Sequence, residues 1–296
     1  MIQQHEIKQQ TKPQPSVGPG VSLANILVAT DFSETSDRAL EHALSLARTY
    51  NSRIFLAHIT PVDLMMAPEL TEAPREQLRQ AARERLERIG TSDRFFEVAH
   101  QEIIEEGALW PNIEALIKKH AIDLVVVGTH GKGFVQKLLI GSSAEEIFRQ
   151  ARVPVLTVGP GVRREPLYGV ELKNILFATD FGSTAERQAA YAFSLAQEHR
   201  SRITLLHVEQ RSDHETGTVG QLRELIPSAT DLHCLPLFRV ERGNPVKEIL
   251  RVAEQMKADL IVLGAKTRRG LAGNVPHTKA YQIICGASCP VLTIKS

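Results

Sequence analysis

Short apolar runs alternate with stretches whose apolar residues recur every three or four positions, and the whole alternation occurs twice along the chain. In the first pass the runs are ANILVAT (24–30), RIFLAHI (53–59), FFEVAHQEI (95–103), DLVVVG (123–128) and PVLTV (154–158). Runs that are apolar throughout mark strands covered on both faces. Between them, Ala39, Leu40, Ala43, Leu44, Ala47 and Tyr50 fall on one helical face, started by Ser33 or Ser36 as cap. Leu78, Ala82, Leu86 and Ile89 form the stripe of a long charged helix around 69–89. A third helix begins near Pro111, which suits a first turn, and carries Ile113, Leu116 and Ile117. Five strands alternating with helices predict an α/β fold with a parallel sheet covered by helices on both faces.

The second pass is a copy. Residues 25–59 align without gaps on 174–208, with 18 of 35 positions identical. Self-similarity at that level implies two tandem homologous domains. A flexible tail (1–22), a first domain (23–159), a linker (160–172) rich in Gly, Pro and charge, and a second domain (173–296) account for the chain. The fifth runs, PVLTV and PVLTI (290–294), close their domains and would leave apolar edges in isolation. The expectation is that they meet pseudo-twofold, with Val155, Leu156, Val291 and Leu292 at the junction. A further homodimer through helix faces is compatible with that arrangement.

Composition excludes more than it names. Lys and Arg number 35 against 34 Asp and Glu, a net charge of +1, so no global field draws nucleic acid or an anionic membrane. No apolar run approaches the ~20 residues of a membrane span. The Gln- and Pro-rich first 22 residues lack the apolar core of a signal peptide. Cys234, Cys285 and Cys289 make no disulfide framework, and a cytoplasmic setting is the expectation.

The chemistry concentrates after the fourth strand. There Gly128, Gly131 and Gly141 are followed by Ser142 and Ser143, which open a helical stretch. Glycine permits close backbone approach to a ligand, and a Gly-Ser-Ser helix start offers N–H groups and hydroxyls to an anion. Lys132 within the loop adds an ammonium, and Asp31 ends the first strand. In an open parallel sheet, ligands sit beyond the carboxyl ends of the strands where strand order reverses, so Asp31 and the glycine loop should line one crevice. The second copy keeps Asp180 and Gly264 but places Thr267 and His277 where the first has Gly131 and Gly141. Its phosphate site therefore reads as degraded.

These residues, with the Ala29-Thr30-Asp31 triplet and the strand at Pro154, resemble the tandem form of the universal stress protein family. The resemblance covers about residues 23–296. It implies two five-stranded doubly wound parallel sheets of order 3-2-1-4-5, and ATP held in the first crevice, with magnesium as a candidate counter-ion. It further implies that Asp31 faces the ribose or base, Ile59 meets adenine through its backbone, and Val127 and Gly128 flank the nucleoside. Gly131, Gly141, Ser142 and Ser143 would cradle the phosphates. Members are generally signalling or stress-response proteins rather than robust catalysts, with a protein partner that the sequence does not identify.

Other chemistry lacks its signatures. There is no GxxxxGK[ST], no GxGxxG after the first strand and no nucleophile elbow. His58 and His207 hold matching places after the second strand of each copy, which packing alone explains better than metal binding. Cys285, Cys289 and His277 read as inert residues rather than a zinc site, and Trp110 as a packing residue at a helix entrance. A structural interaction protein with a vestigial site and a very slow ATP hydrolase are the alternatives.

Overall fold

The computed structural model describes residues 21–60, 72–129, 141–162, 171–209, 217–228, 230–265 and 278–295. The first repeat runs β1 (Asn25–Ala29), α1 (Glu34–Tyr50), β2 (Arg53–Thr60), α2 (Glu72–Gly90), β3 (His100–Glu106), α3 (Leu109–Lys119), β4 (Leu124–Gly128), α4 (Ser142–Gln150) and β5 (Val155–Val158). The second follows with β6 (Asn174–Ala178), α5 (Ala185–Glu198), β7 (Arg202–Glu209), α6 (Thr218–Glu224), β8 (Leu237–Arg242), α7 (Pro245–Gln255), β9 (Leu260–Ala265), α8 (Lys279–Gly286) and β10 (Val291–Lys295).

All ten strands form one sheet of order β3-β2-β1-β4-β5-β10-β9-β6-β7-β8. Each repeat contributes a parallel five-stranded half of order 3-2-1-4-5, and the halves join edge to edge. The join is antiparallel, with Leu156 opposite Leu292, so the two apolar closing strands cover each other as their sequence requires. Thr157 and Thr293, each 1% exposed, reinforce it symmetrically. The Thr157 hydroxyl donates to the Val291 carbonyl at 3.0 Å and that of Thr293 to the Val155 carbonyl at 3.2 Å. Because the seam is antiparallel, the carboxyl ends of β1 and β4 and those of β6 and β9 point to opposite edges of the sheet.

Strand residues alternate between two cores. Ile26, Val28, Leu56, Ile175 and Phe177 pack against α1 and α5, while Leu27, Phe55, Val125, Leu176 and Ile261 pack beneath α4 and α8. The third strand begins later than the pattern of residues 95–103 predicts. Phe95 is instead buried in a short 3-10 turn, and Glu97 adopts a left-handed backbone (φ 59°) that ends any extended run there. Two symmetric hydroxyls hold the chain entering each repeat: Ser52 donates to the Leu23 carbonyl and Ser201 to that of Leu172. The Val21 N–H crosses the seam to the Ser194 hydroxyl at 2.8 Å.

Candidate functional site

The carboxyl ends of β1, β2 and β4 and the start of α4 enclose a cavity of about 220 Å³ in the first repeat. Asp31, Ile59, Val127, Gly128, Gly141, Ser142 and Ser143 all line it. Thr30, Ser36, His58, Leu109 and Thr129 are among the others that line it, and glycine spacing pointed to none of them. Gly131 and Lys132 lie outside the described residues.

Each wall has a local cause. Past β1, Phe32 takes a left-handed backbone (φ 61°), and the turn is tied by the Phe32 N–H to the Thr30 hydroxyl and the Ser33 N–H to Asp31 Oδ1, both at 3.0 Å. Asp31 thus shapes the turn, while Ser33 caps α1 by accepting from the Ser36 N–H at 3.2 Å. The Thr30 and Ser36 hydroxyls lie 3.1 Å apart, in a buried polar cluster at the positive end of α1. Gly128 is required by packing: a Cβ there would fall 2.5–2.7 Å from backbone atoms of Thr35 and Ser36. At the far wall, the Gly141 N–H donates to the Thr129 carbonyl at 2.5 Å and pins together the two ends of the glycine loop. Gly141 is the N-cap of α4 and supplies no side chain to its first turn. The leading N–H groups of that nine-residue helix therefore face the cavity with no cap of their own.

The second repeat differs at the same places. Its α8 is capped by Thr278, whose hydroxyl accepts from the Tyr281 N–H at 3.2 Å. Ser33 and Ser36 become Gly182 and Ala185, and α5 starts two residues later than its counterpart. Gln188, which replaces Ala39, lays its side-chain amide against Gly264, where a Cβ would meet it at 2.3–2.9 Å. The gapless alignment carried the Gln188 substitution, but only three dimensions show that it packs on Gly264. Thr267 and His277 lie outside the described residues.

The paired histidines pack, as their symmetry suggested. His58 Nδ1 lies 2.8 Å from the Thr30 carbonyl and His207 Nδ1 2.9 Å from that of Thr179. A carbonyl only accepts, so both nitrogens carry the proton. Phe32 and Phe181 cover the rings at centroid distances of 4.5 and 4.6 Å. Cys289 is buried, which pushes its thiol up to about 12. Among the described residues, no group of three His, Cys, Asp or Glu side chains is placed to hold a metal. Nor is any described helix long and apolar enough to cross a membrane.

Comparison with known proteins agrees with this architecture. A universal stress protein of Mycolicibacterium smegmatis is 25% identical over 293 residues, spanning 91% of this chain and 96% of the relative. One of Methanocaldococcus jannaschii is 29% identical over 137 residues, covering 45% of this chain and 80% of its own length. The crystal structure of a universal stress protein from Archaeoglobus fulgidus superposes with a TM-score of 0.71 at 20% identity, covering 92% of this chain and 98% of that one. The family profile itself, described as universal stress protein, matches residues 23–159 and 237–295. The chain belongs to the universal stress protein family.

Proposed function

We propose that the crevice of the first repeat holds one adenine nucleotide, ATP in the first instance, and that occupancy makes the protein a signalling or stress-response component of the cytoplasm. The observation that carries this reading is the uncapped start of α4 at Gly141–Ser143, aimed into a cavity that Asp31 and the ends of β2 and β4 also line. An uncapped helix start binds phosphate through its N–H groups and its macrodipole. Asp31 is at the rim for a ribose, Ile59 and Val127 offer an apolar bed for a base, and Ser142 and Ser143 add hydroxyls. In the second repeat Thr278 caps the corresponding helix and Gln188 packs on the corresponding glycine, which supports one site per chain rather than two.

Among the described lining residues, Asp31 is engaged in the turn after β1 and His58 is tied through Nδ1 to the Thr30 carbonyl, so we expect hydrolysis far below the usual enzyme range of about 1–1000 per second. Native mass spectrometry of the purified chain, followed by calorimetric titration with ATP, ADP and AMP, tests the reading. One bound nucleotide per chain is expected. Gly141→Asp should abolish binding, since the new carboxylate caps α4 itself and repels phosphate. Two equivalent sites, or binding that survives Gly141→Asp, would refute the assignment.

A further inference from the structure

We propose that Lys295, with Arg149 beside it, forms an oxyanion site at the seam that takes a phosphate group. Lys295 ends β10 and pairs with Ala265 at the carboxyl edge of the second half. Its residue is 4% exposed, and its ammonium nitrogen is buried without a hydrogen-bond partner. The Phe148 ring lies 5.5 Å from that nitrogen, and Arg149 is the next residue of α4. Arg187 Nη1 donates to the Lys295 carbonyl at 3.5 Å. The α4 face of the seam thus brings two cations together, one from a helix and one from a strand, while Arg187 on α5 meets only the backbone of Lys295. Among the described residues, Arg149 has a carboxylate in reach at 3.9 Å, from Glu145 one turn back along α4.

A buried ammonium is costly unless a counter-charge compensates it, and an aromatic face compensates only in part. Here burial and Arg149 act in the same direction, lowering the Lys295 amine to about 8. A phosphate dianion would supply the missing charge and accept from lysine and guanidinium donors together. The site is particular to the second half. By strand register the matching residue of the first is Gly159, whose neighbours are the Ile284 carbonyl and the Thr129 hydroxyl. Phe148 and Arg149 also belong to the helix whose other end bounds the first crevice, so seam occupancy would bear on α4 directly.

The test uses the full chain carrying Gly141→Asp, which silences the first crevice and separates this proposal from the nucleotide reading. Lysine ε-carbon resonances of ¹³C-lysine-labelled protein, with Lys295 assigned through Lys295→Met, are titrated with pH in phosphate-free buffer and again in inorganic phosphate. The Lys295 midpoint should start near 8. It should rise by at least about one pH unit in phosphate, a tenfold preference for the charged amine. Calorimetric phosphate binding should weaken at least tenfold in Lys295→Met. A parallel arm with glycerol phosphate separates a site for the free ion from one for phosphate monoesters. A midpoint that phosphate leaves unmoved overturns the proposal, as does phosphate binding indifferent to Lys295→Met.

Discussion

Gly128 and Gly264 occupy matching positions, yet their surroundings predict different costs for the same substitution. In Gly128→Ala the new Cβ meets backbone atoms of Thr35 and Ser36 at 2.5–2.7 Å, and these cannot rotate away. The first turn of α1 must retreat, carrying with it the Ser33 cap and the Thr30–Ser36 hydroxyl contact. Overpacking against a rigid neighbour costs about 1–3 kcal/mol, and loss of geometry at the cap places this case near the upper end. In Gly264→Ala the clash is with the Gln188 amide, which can swing aside. What is lost there is mainly its 2.7 Å bond to the Thr184 hydroxyl, worth about 1 kcal/mol. Urea unfolding midpoints of the two variants in the full chain should differ accordingly, with Gly128→Ala the weaker protein by about 1–2 kcal/mol. A double variant, Gln188→Ala with Gly264→Ala, should lie within about 0.5 kcal/mol of Gln188→Ala alone, because the second change then meets nothing. Nucleotide affinity should fall several-fold in Gly128→Ala as α1 withdraws from the cavity wall. Equal losses at the two glycines, or a milder Gly128→Ala, would refute the backbone-contact argument.

Burial lowers His42 from 6.5 to about 4, so the folded state resists a proton that the unfolded state accepts. Stability from this site is fully present above pH 6.5 and is lost as pH falls towards 4, by about 3 kcal/mol at roughly 1.4 kcal/mol per pH unit. Denaturation curves measured across that window should show the loss in the native chain and not in His42→Tyr, which copies the matching Tyr191. Thr157→Val and Thr293→Val each remove one hydroxyl bond from the seam and should cost about 0.5–1.5 kcal/mol apiece, read from the same midpoints. Ser33→Ala should cost about 1 kcal/mol through the lost cap. Thr184→Ala, whose side chain caps nothing at α5 but accepts from Gln188 at 2.7 Å, should cost about 1 kcal/mol alone and little more once Gln188→Ala is present.

Much of the architecture was legible because its causes are local or repeated. Apolar runs, helical spacing and duplication gave the alternating strands and helices of two parallel halves, the family resemblance implied their order, and two closing strands with nothing to cover them pointed to the seam at Leu156 and Leu292. Asp31, Gly128 and Gly141 at the crevice followed from glycine spacing and the switch-point rule, and Ile59 and Val127 from the family resemblance. What escaped depends on apposition between distant segments. Gln188 matters because Gly264 lies beneath it, 76 positions further along the chain. Thr278 reads as one more hydroxyl until it is seen capping α8. The contact between the Thr30 and Ser36 hydroxyls, and the burial of Lys295, rest on packing that no local pattern carries. At β3, the aromatic pair Phe95–Phe96 suggested a strand, although Phe95 is a buried anchor in a tight turn and Phe96 is 73% exposed.

The antiparallel seam also sets the valency of the molecule. Had the halves been related by translation, both crevices would open on one rim, and a single partner could read them together. Here one rim presents the crevice of the first repeat and the opposite rim that of the second. Whatever meets one rim therefore leaves the opposite rim clear, and the two crevices cannot be read from a single side.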